Sequence, residues 1–242
     1  MTPTAWMPSL KKLMSYGLVR NMGKMLSGNL AGNALNLVAL ALMGRALGPE
    51  AFGFFMALQA MMLLVAQLSD FGLNTTMIKY YRERITGGAP DEAEVIMRVS
   101  LWLRLTVVGV MAGGCGIFAN DLARWLFAEV SRTEAISLIR WTCLGAVGSC
   151  LWAFCQGALQ ARQQFGAYAL LTTANHGLRL ALVAAWIFIW GLNIPAAVGI
   201  MIAIPFLGTF SAGLLWPRSF WSARMPGAAV REQVSSILHF SK

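Results

Sequence analysis

Six long, continuous apolar runs constrain this chain more than any other feature. They span approximately Met25–Ala46, Ala51–Ile78, Val99–Ala119, Ala135–Leu159, Ala167–Trp190 and Ala196–Trp216. A helix needs roughly 20 mostly apolar residues to cross a hydrocarbon core of about 30 Å. Strands of an outer-membrane barrel alternate apolar and polar over about ten residues, so runs twice that length without alternation are helices. The expected fold class is therefore all-α: a polytopic membrane bundle of six transmembrane helices. Gly48-Pro49-Glu50 joins runs one and two, and Gly191–Pro195 joins five and six. Both have the residues of tight turns, which makes the expected architecture three helical hairpins. Composition agrees: 57% of the 242 residues are hydrophobic and 12% charged, where a soluble domain carries roughly 25% charged residues. A cytosolic enzyme is a poor match.

The formal net charge is +9, and its placement gives orientation. One side of the bundle receives Lys11, Lys12, Arg20, Lys24, Lys79, Arg82, Arg84, Arg98, Arg162, Arg218, Arg224, Arg231 and Lys242. The other receives Arg124 and Arg132, with Arg45 at its edge. Cytoplasmic loops carry the Lys/Arg excess, so both termini are expected in the cytoplasm. The basic residues fall on four separate segments, which argues against a nucleic-acid stripe. The expected organisation is a cytoplasmic leader over 1–24, a transmembrane bundle over 25–216 and a cytoplasmic segment over 217–242. No secretory signal is evident in the leader, where Lys11 and Lys12 follow Trp6, Met7 and Leu10. The spacing of Trp6, Leu10, Leu13, Met14 and Leu18 suits an amphipathic helix on the inner leaflet, and a disordered leader fits as well.

Cys115, Cys143, Cys150 and Cys155 all lie in the runs without C-x-x-C spacing or a His cluster. They read most simply as small side chains in helix contacts, with no metal and no cofactor implied. Gly28-x-x-x-Gly32 and Gly109-x-x-x-Gly113 read as close-packing sites. Pro205 is expected to kink the sixth run.

Polar groups at membrane depth are costly and usually face a cavity or a partner. Run five holds Thr172, His176 and Arg179 at i, i+4, i+7, one helix face. Arg179 lies about eleven residues from either end, too deep to snorkel to a surface. Run one carries Asn29, Asn33 and Asn36 on one face, and run two holds Asp70 with Asn74 one turn on. Arg104 and Arg140 lie about a turn and a half from the ends of runs three and four; either snorkelling or a cavity role suits them. The asparagines also fit plain interhelical hydrogen bonding, and Asp70 fits neutralisation of a basic residue on a neighbouring helix.

Together these faces imply a hydrated cavity that is mostly cationic: Arg104, Arg140, Arg179 and protonated His176 against Asp70. Such a cavity suits an anionic passenger, and the planar fork of arginine suits phosphate oxygens. There is no G-x-x-x-x-G-K-[ST] loop, carboxylate pair, H-E-x-x-H or Ser/His/Asp set at a run end, so ATP hydrolysis and catalysis are not expected.

Three segments carry a resemblance: Arg45-Ala46-Leu47-Gly48-Pro49-Glu50-Ala51-Phe52-Gly53, then Leu68-Ser69-Asp70-Phe71-Gly72-Leu73, then Gln160-Ala161-Arg162-Gln163-Gln164-Phe165-Gly166-Ala167-Tyr168. In this order, on six runs, the chain from about Leu18 onward resembles the polysaccharide transporters, the lipid-linked oligosaccharide flippases of the multidrug/oligosaccharidyl-lipid/polysaccharide exporter superfamily. The resemblance implies the N-terminal six-helix half of a two-half MATE-like transporter, with Leu238-His239-Phe240-Ser241-Lys242 similar to the entry of a seventh span. It also implies a second six-helix half or a homodimer partner, and a location in the bacterial inner membrane.

The function so implied is translocation of a polyprenyl-pyrophosphate-linked oligosaccharide for surface polysaccharide biosynthesis. Arg179, His176, Thr172, Arg104, Asn29, Asn33 and Asn36 would line the substrate cavity, with Asp70 as gate or ion-coupling residue. The expected partners are the lipid-linked oligosaccharide and membrane lipid. Rival readings are a drug or organic-cation antiporter of the same superfamily, which would want an acidic cavity, and a non-transporting accessory subunit. A membrane enzyme acting on polyprenyl phosphates would need acidic or His clusters at a membrane face.

Overall fold

The computed structural model describes residues 17–126, 132–216 and 220. Among them are seven helices and no strand: α1 (Gly17–Leu68), α2 (Leu73–Thr86), α3 (Pro90–Ile117), α4 (Ala119–Leu126), α5 (Arg132–Ala161), α6 (Phe165–Ile189) and α7 (Ile194–Gly213). Helix α1 is two legs, 17–47 and 49–68. They part at Gly48, whose backbone sits at φ 77, ψ 169 just ahead of Pro49. Proline disfavours helical geometry at the residue before it, and a positive φ is open to glycine.

The two legs fold back on each other. Asn36 and Gln59 both hydrogen-bond the Arg179 guanidinium, yet a straight helix would hold them roughly 35 Å apart at 1.5 Å per residue. The reversal at Gly48 brings them level, almost equally far from the turn. Contacts between the first leg and α6 advance together along both helices: Gly28 with Thr173, Asn36 with Arg179. The two therefore run parallel, as first and fifth passes must.

The second pass does not run unbroken to Ile78. It breaks at 69–72, where Phe71 and Gly72 have φ 38 and φ 75, and resumes as α2. Asp70 starts α2 by accepting the Asn74 backbone N–H at 3.2 Å on its Oδ1. The third helix begins at Pro90, well before Val99, because Pro90 opens it and Asp91 and Glu92 suit the positive end of its dipole. At 28 residues α3 is about 42 Å long, so it projects beyond the hydrocarbon beside α2. Helix α7 is capped by the Asn193 side chain, which accepts the Ala196 N–H at 3.0 Å, and continues through Pro205. Helix α1 is described from Gly17. Residues 1–16 of the expected leader over 1–24 and the tail beyond Trp216, Phe220 apart, lie outside the described residues.

Four helical stretches are long and apolar enough to cross a membrane: Gly23–Thr86, Pro90–Ile117, Thr133–Ala161 and Ile194–Gly213. The first holds both legs of the Gly48 hairpin. Helix α6 has the length as well, but Asn175, His176 and Arg179 dilute it. Helix α5 is the central strut, packed on α1, α2, α3 and α7, while the first leg lies mainly on α6. Met43, Phe55, Leu58, Val108, Ile139, Val183 and Ile200 fill one end of the core. Met77, Met97, Phe154 and Ala158 fill the other. Large apolar side chains such as Leu37, Val110, Leu170 and Phe188 point outward, as lipid or a partner's apolar face allows.

Candidate functional site: a polar seam inside the bundle

The first leg and α6 can approach closely because glycines leave room. A Cβ on Gly28 would stand 2.7 Å from the Ala169 Cα, and one on Gly32 would stand 2.7 Å from the His176 ring. The Gly109 and Gly113 positions, by contrast, face open space, so of these two pairs it is the first that packs helices among the described residues.

Along this approach runs a ladder of polar contacts. Tyr168 donates its hydroxyl to Asn29 Oδ1 at 3.0 Å. Thr173 donates to the Gly28 carbonyl at 3.3 Å. Arg179 Nη1 reaches Asn36 Oδ1 at 2.8 Å and its Nη2 reaches Gln59 Oε1 at 3.0 Å. Thr172, buried one turn below His176, accepts from Gln156 Nε2 of α5 at 3.2 Å.

The chemistry of Arg179 decides what this seam can do. Both of its partners are neutral amide oxygens, and its Nε is buried with no acceptor among the described residues. The salt bridges among the described residues do not include it. Its full positive charge is thus held by dipoles and left uncancelled. A guanidinium has five N–H donors, so donors remain for an incoming oxyanion.

The structure brings Arg179, His176, Asn29 and Asn36 to one seam, with Thr172 buried just beneath. Asn33 is exposed on the outer side of the first leg. Arg104 is set apart from this seam. It is 1% exposed, pairs through Nη2 with Asp70 Oδ1, and lies over the Phe154 ring at 5.8 Å. Its position in α3 buries it against α5, and the break at 69–72 delivers the carboxylate that stabilises it there. Arg140 is exposed near the far end of α5.

A second ion pair lies at the α2–α3 end of the bundle. Arg162 Nη2 contacts Glu94 Oε2 at 2.9 Å and Oε1 at 3.1 Å, Tyr81 donates to Glu94 at 3.4 Å, and the Trp216 ring stacks near Arg162 at 5.8 Å. Gln59, Gln156, Tyr168 and the Glu94–Arg162 pair escaped the sequence reading. A glutamine or tyrosine inside an apolar run was the available signal for the first three. Glu94 sits in a charged stretch that reads as solvated loop until α3 is known to begin at Pro90.

A family model described as "Polysaccharide biosynthesis protein" matches residues 18–241. The chain belongs to this polysaccharide biosynthesis family. Among solved structures it is similar to an outward-facing multidrug resistance MATE family transporter of the MOP superfamily, with a TM-score of 0.72 at 18% identity. The match covers 89% of this chain and 49% of that one, so the family member described here spans about half the length of the transporter it resembles. No curated protein matches. The fold is thus that of a six-helix half of a MATE-like bundle.

Proposed function

We propose that this chain is one half of a flippase that carries a polyprenyl-pyrophosphate-linked oligosaccharide from the inner to the outer leaflet of a bacterial inner membrane. The observation that carries the reading is Arg179, an uncancelled guanidinium held in mid-bundle by two neutral amides. A buried charge without a counter-ion costs several kcal/mol, and an anionic passenger offsets that cost. The phosphates would lie at Arg179 and His176. The sugar would meet Asn29 and Asn36, and the polyprenyl tail would stay in lipid.

The six-helix half would work against a second half or a second copy, with alternating access arising from rocking about the fixed site. Asp70, whose carboxylate is about one-third exposed beside Arg104, is the candidate gate or ion-coupling group. The Lys/Arg distribution supports cytoplasmic termini. The cationic seam speaks against an organic-cation antiporter, which would need acidic groups in place of Arg179.

The test is translocation of a fluorescent polyprenyl-pyrophosphate sugar across vesicles holding the protein together with its partner half. Arg179→Ala should abolish translocation while helicity and vesicle insertion stay unchanged. A wild-type rate in that variant overturns the assignment of the site.

A further inference from the structure

A groove of about 410 Å3 runs along the exposed side of α5, lined by Thr133, Ile136, Ser137, Arg140, Trp141 and Leu144. Thr133, Ser137 and Arg140 fall at i, i+4, i+7 and so stack on one helix face. Ile136, Trp141 and Leu144 supply an apolar flank. No carboxylate lines the groove, and Arg140 has no hydrogen bond or ion pair among the described residues.

Depth along the membrane follows from helix length. Helix α5 ends at Ala161, next to the Arg162–Glu94 pair, an arrangement that belongs at an interface. Counting back the roughly 20 residues that cross the hydrocarbon reaches Trp141. Trp141 and Arg140 therefore stand at the opposite interface, at the end that carries the Gly48 and Gly191 turns, where tryptophan and arginine meet headgroups.

We propose that this groove binds an anionic glycerophospholipid. Its headgroup phosphate would be taken by Arg140 with the hydroxyls of Ser137 and Thr133, and an acyl chain would lie along Trp141 and Leu144. The lipid commitment rests on the combination: a lone guanidinium recognises phosphate oxygens, while the apolar flank continues toward the membrane centre, where a free anion gains nothing. The site is separate from the Arg179 seam, and its occupancy does not depend on what the chain transports.

Trp141 reports on the site directly. The full chain would be reconstituted in phosphatidylcholine vesicles doped with either brominated phosphatidylglycerol or brominated phosphatidylcholine, and the Trp141 signal isolated as the difference from Trp141→Phe. Brominated phosphatidylglycerol should quench Trp141 more strongly at equal content. Arg140→Ala should weaken that preference about fivefold, the effect of one cationic side chain near an anionic surface, and Arg140→Lys should restore most of it. Inorganic phosphate in the bath should leave quenching unchanged.

Equal quenching of the wild-type chain by the two brominated lipids overturns the proposal without recourse to any variant. So does an unaltered preference in Arg140→Ala. Displacement by inorganic phosphate would assign the groove to a free anion and overturn the lipid assignment.

Discussion

Asp70 Oδ1 serves two helices at once: it accepts the Asn74 N–H that starts α2 and neutralises the Arg104 guanidinium buried in α3. A single carboxylate thus fixes both the break in the second pass and the seating of the third.

Replacing Asp70 by Asn should therefore destabilise the bundle strongly. Breaking a buried pair by removing one partner costs about 3–5 kcal/mol, and the one-third exposure of Asp70 puts the expected loss at the lower end, about 3 kcal/mol. Reversible unfolding in mixed detergent measures it. The double variant Asp70→Asn, Arg104→Met should recover much of the loss, since the stranded charge is then gone.

Arg179→Lys keeps a positive charge but replaces a planar fork with a point charge. A single ammonium cannot hold Asn36 and Gln59 in the same geometry. Losing one charge-assisted hydrogen bond, worth about 1.5–3 kcal/mol, should slow translocation of a lipid-linked sugar about tenfold or more, measured as the initial rate in vesicles. Asn36→Ala and Gln59→Ala should each fall between this variant and wild type.

The glycines divide into two classes. Gly28→Ala drives a methyl into the Ala169 backbone and should cost about 1–3 kcal/mol, as overpacking does. Gly109→Ala meets nothing within 4 Å and should raise stability by up to about 1 kcal/mol through helix propensity. Unfolding midpoints of the two variants in one detergent compare them directly.

Cys143, Cys150 and Cys155 are 6%, 3% and 2% exposed, while Cys115 is only partly covered. A maleimide applied to the folded protein should add a single mass increment, at Cys115. After denaturation it should add four, one for each cysteine of the sequence. Peptide mapping of the labelled chain checks both.

Much of this architecture was legible in the sequence because it is local. Continuous apolar runs reveal passes, short segments with Gly and Pro reveal reversals, and i, i+4, i+7 spacing puts Thr172, His176 and Arg179 on one face. Partnerships were not local. Gln59 meets Arg179 only because the Gly48 hairpin sets it level with Asn36. Arg104 finds Asp70 only because the second pass breaks at 69–72. The end of a pass is also weakly encoded where a helix continues into water: α2 and the start of α3 are polar, so hydropathy stops short of Thr86 and overshoots Pro90. Asn33 carried the same signal as Asn29 and Asn36, yet a small difference in angle around the helix axis turns it outward.

The parallel pairing of the first leg with α6 has a consequence for biogenesis. Asn36 and Arg179 are 143 positions apart in the chain. At about 5–20 residues per second of synthesis, the opening helix waits roughly seven to thirty seconds before its mate emerges from the ribosome. Throughout that interval its asparagines have neither Tyr168 nor Arg179 to bond, which makes the newborn first helix the natural client of an insertase or membrane chaperone.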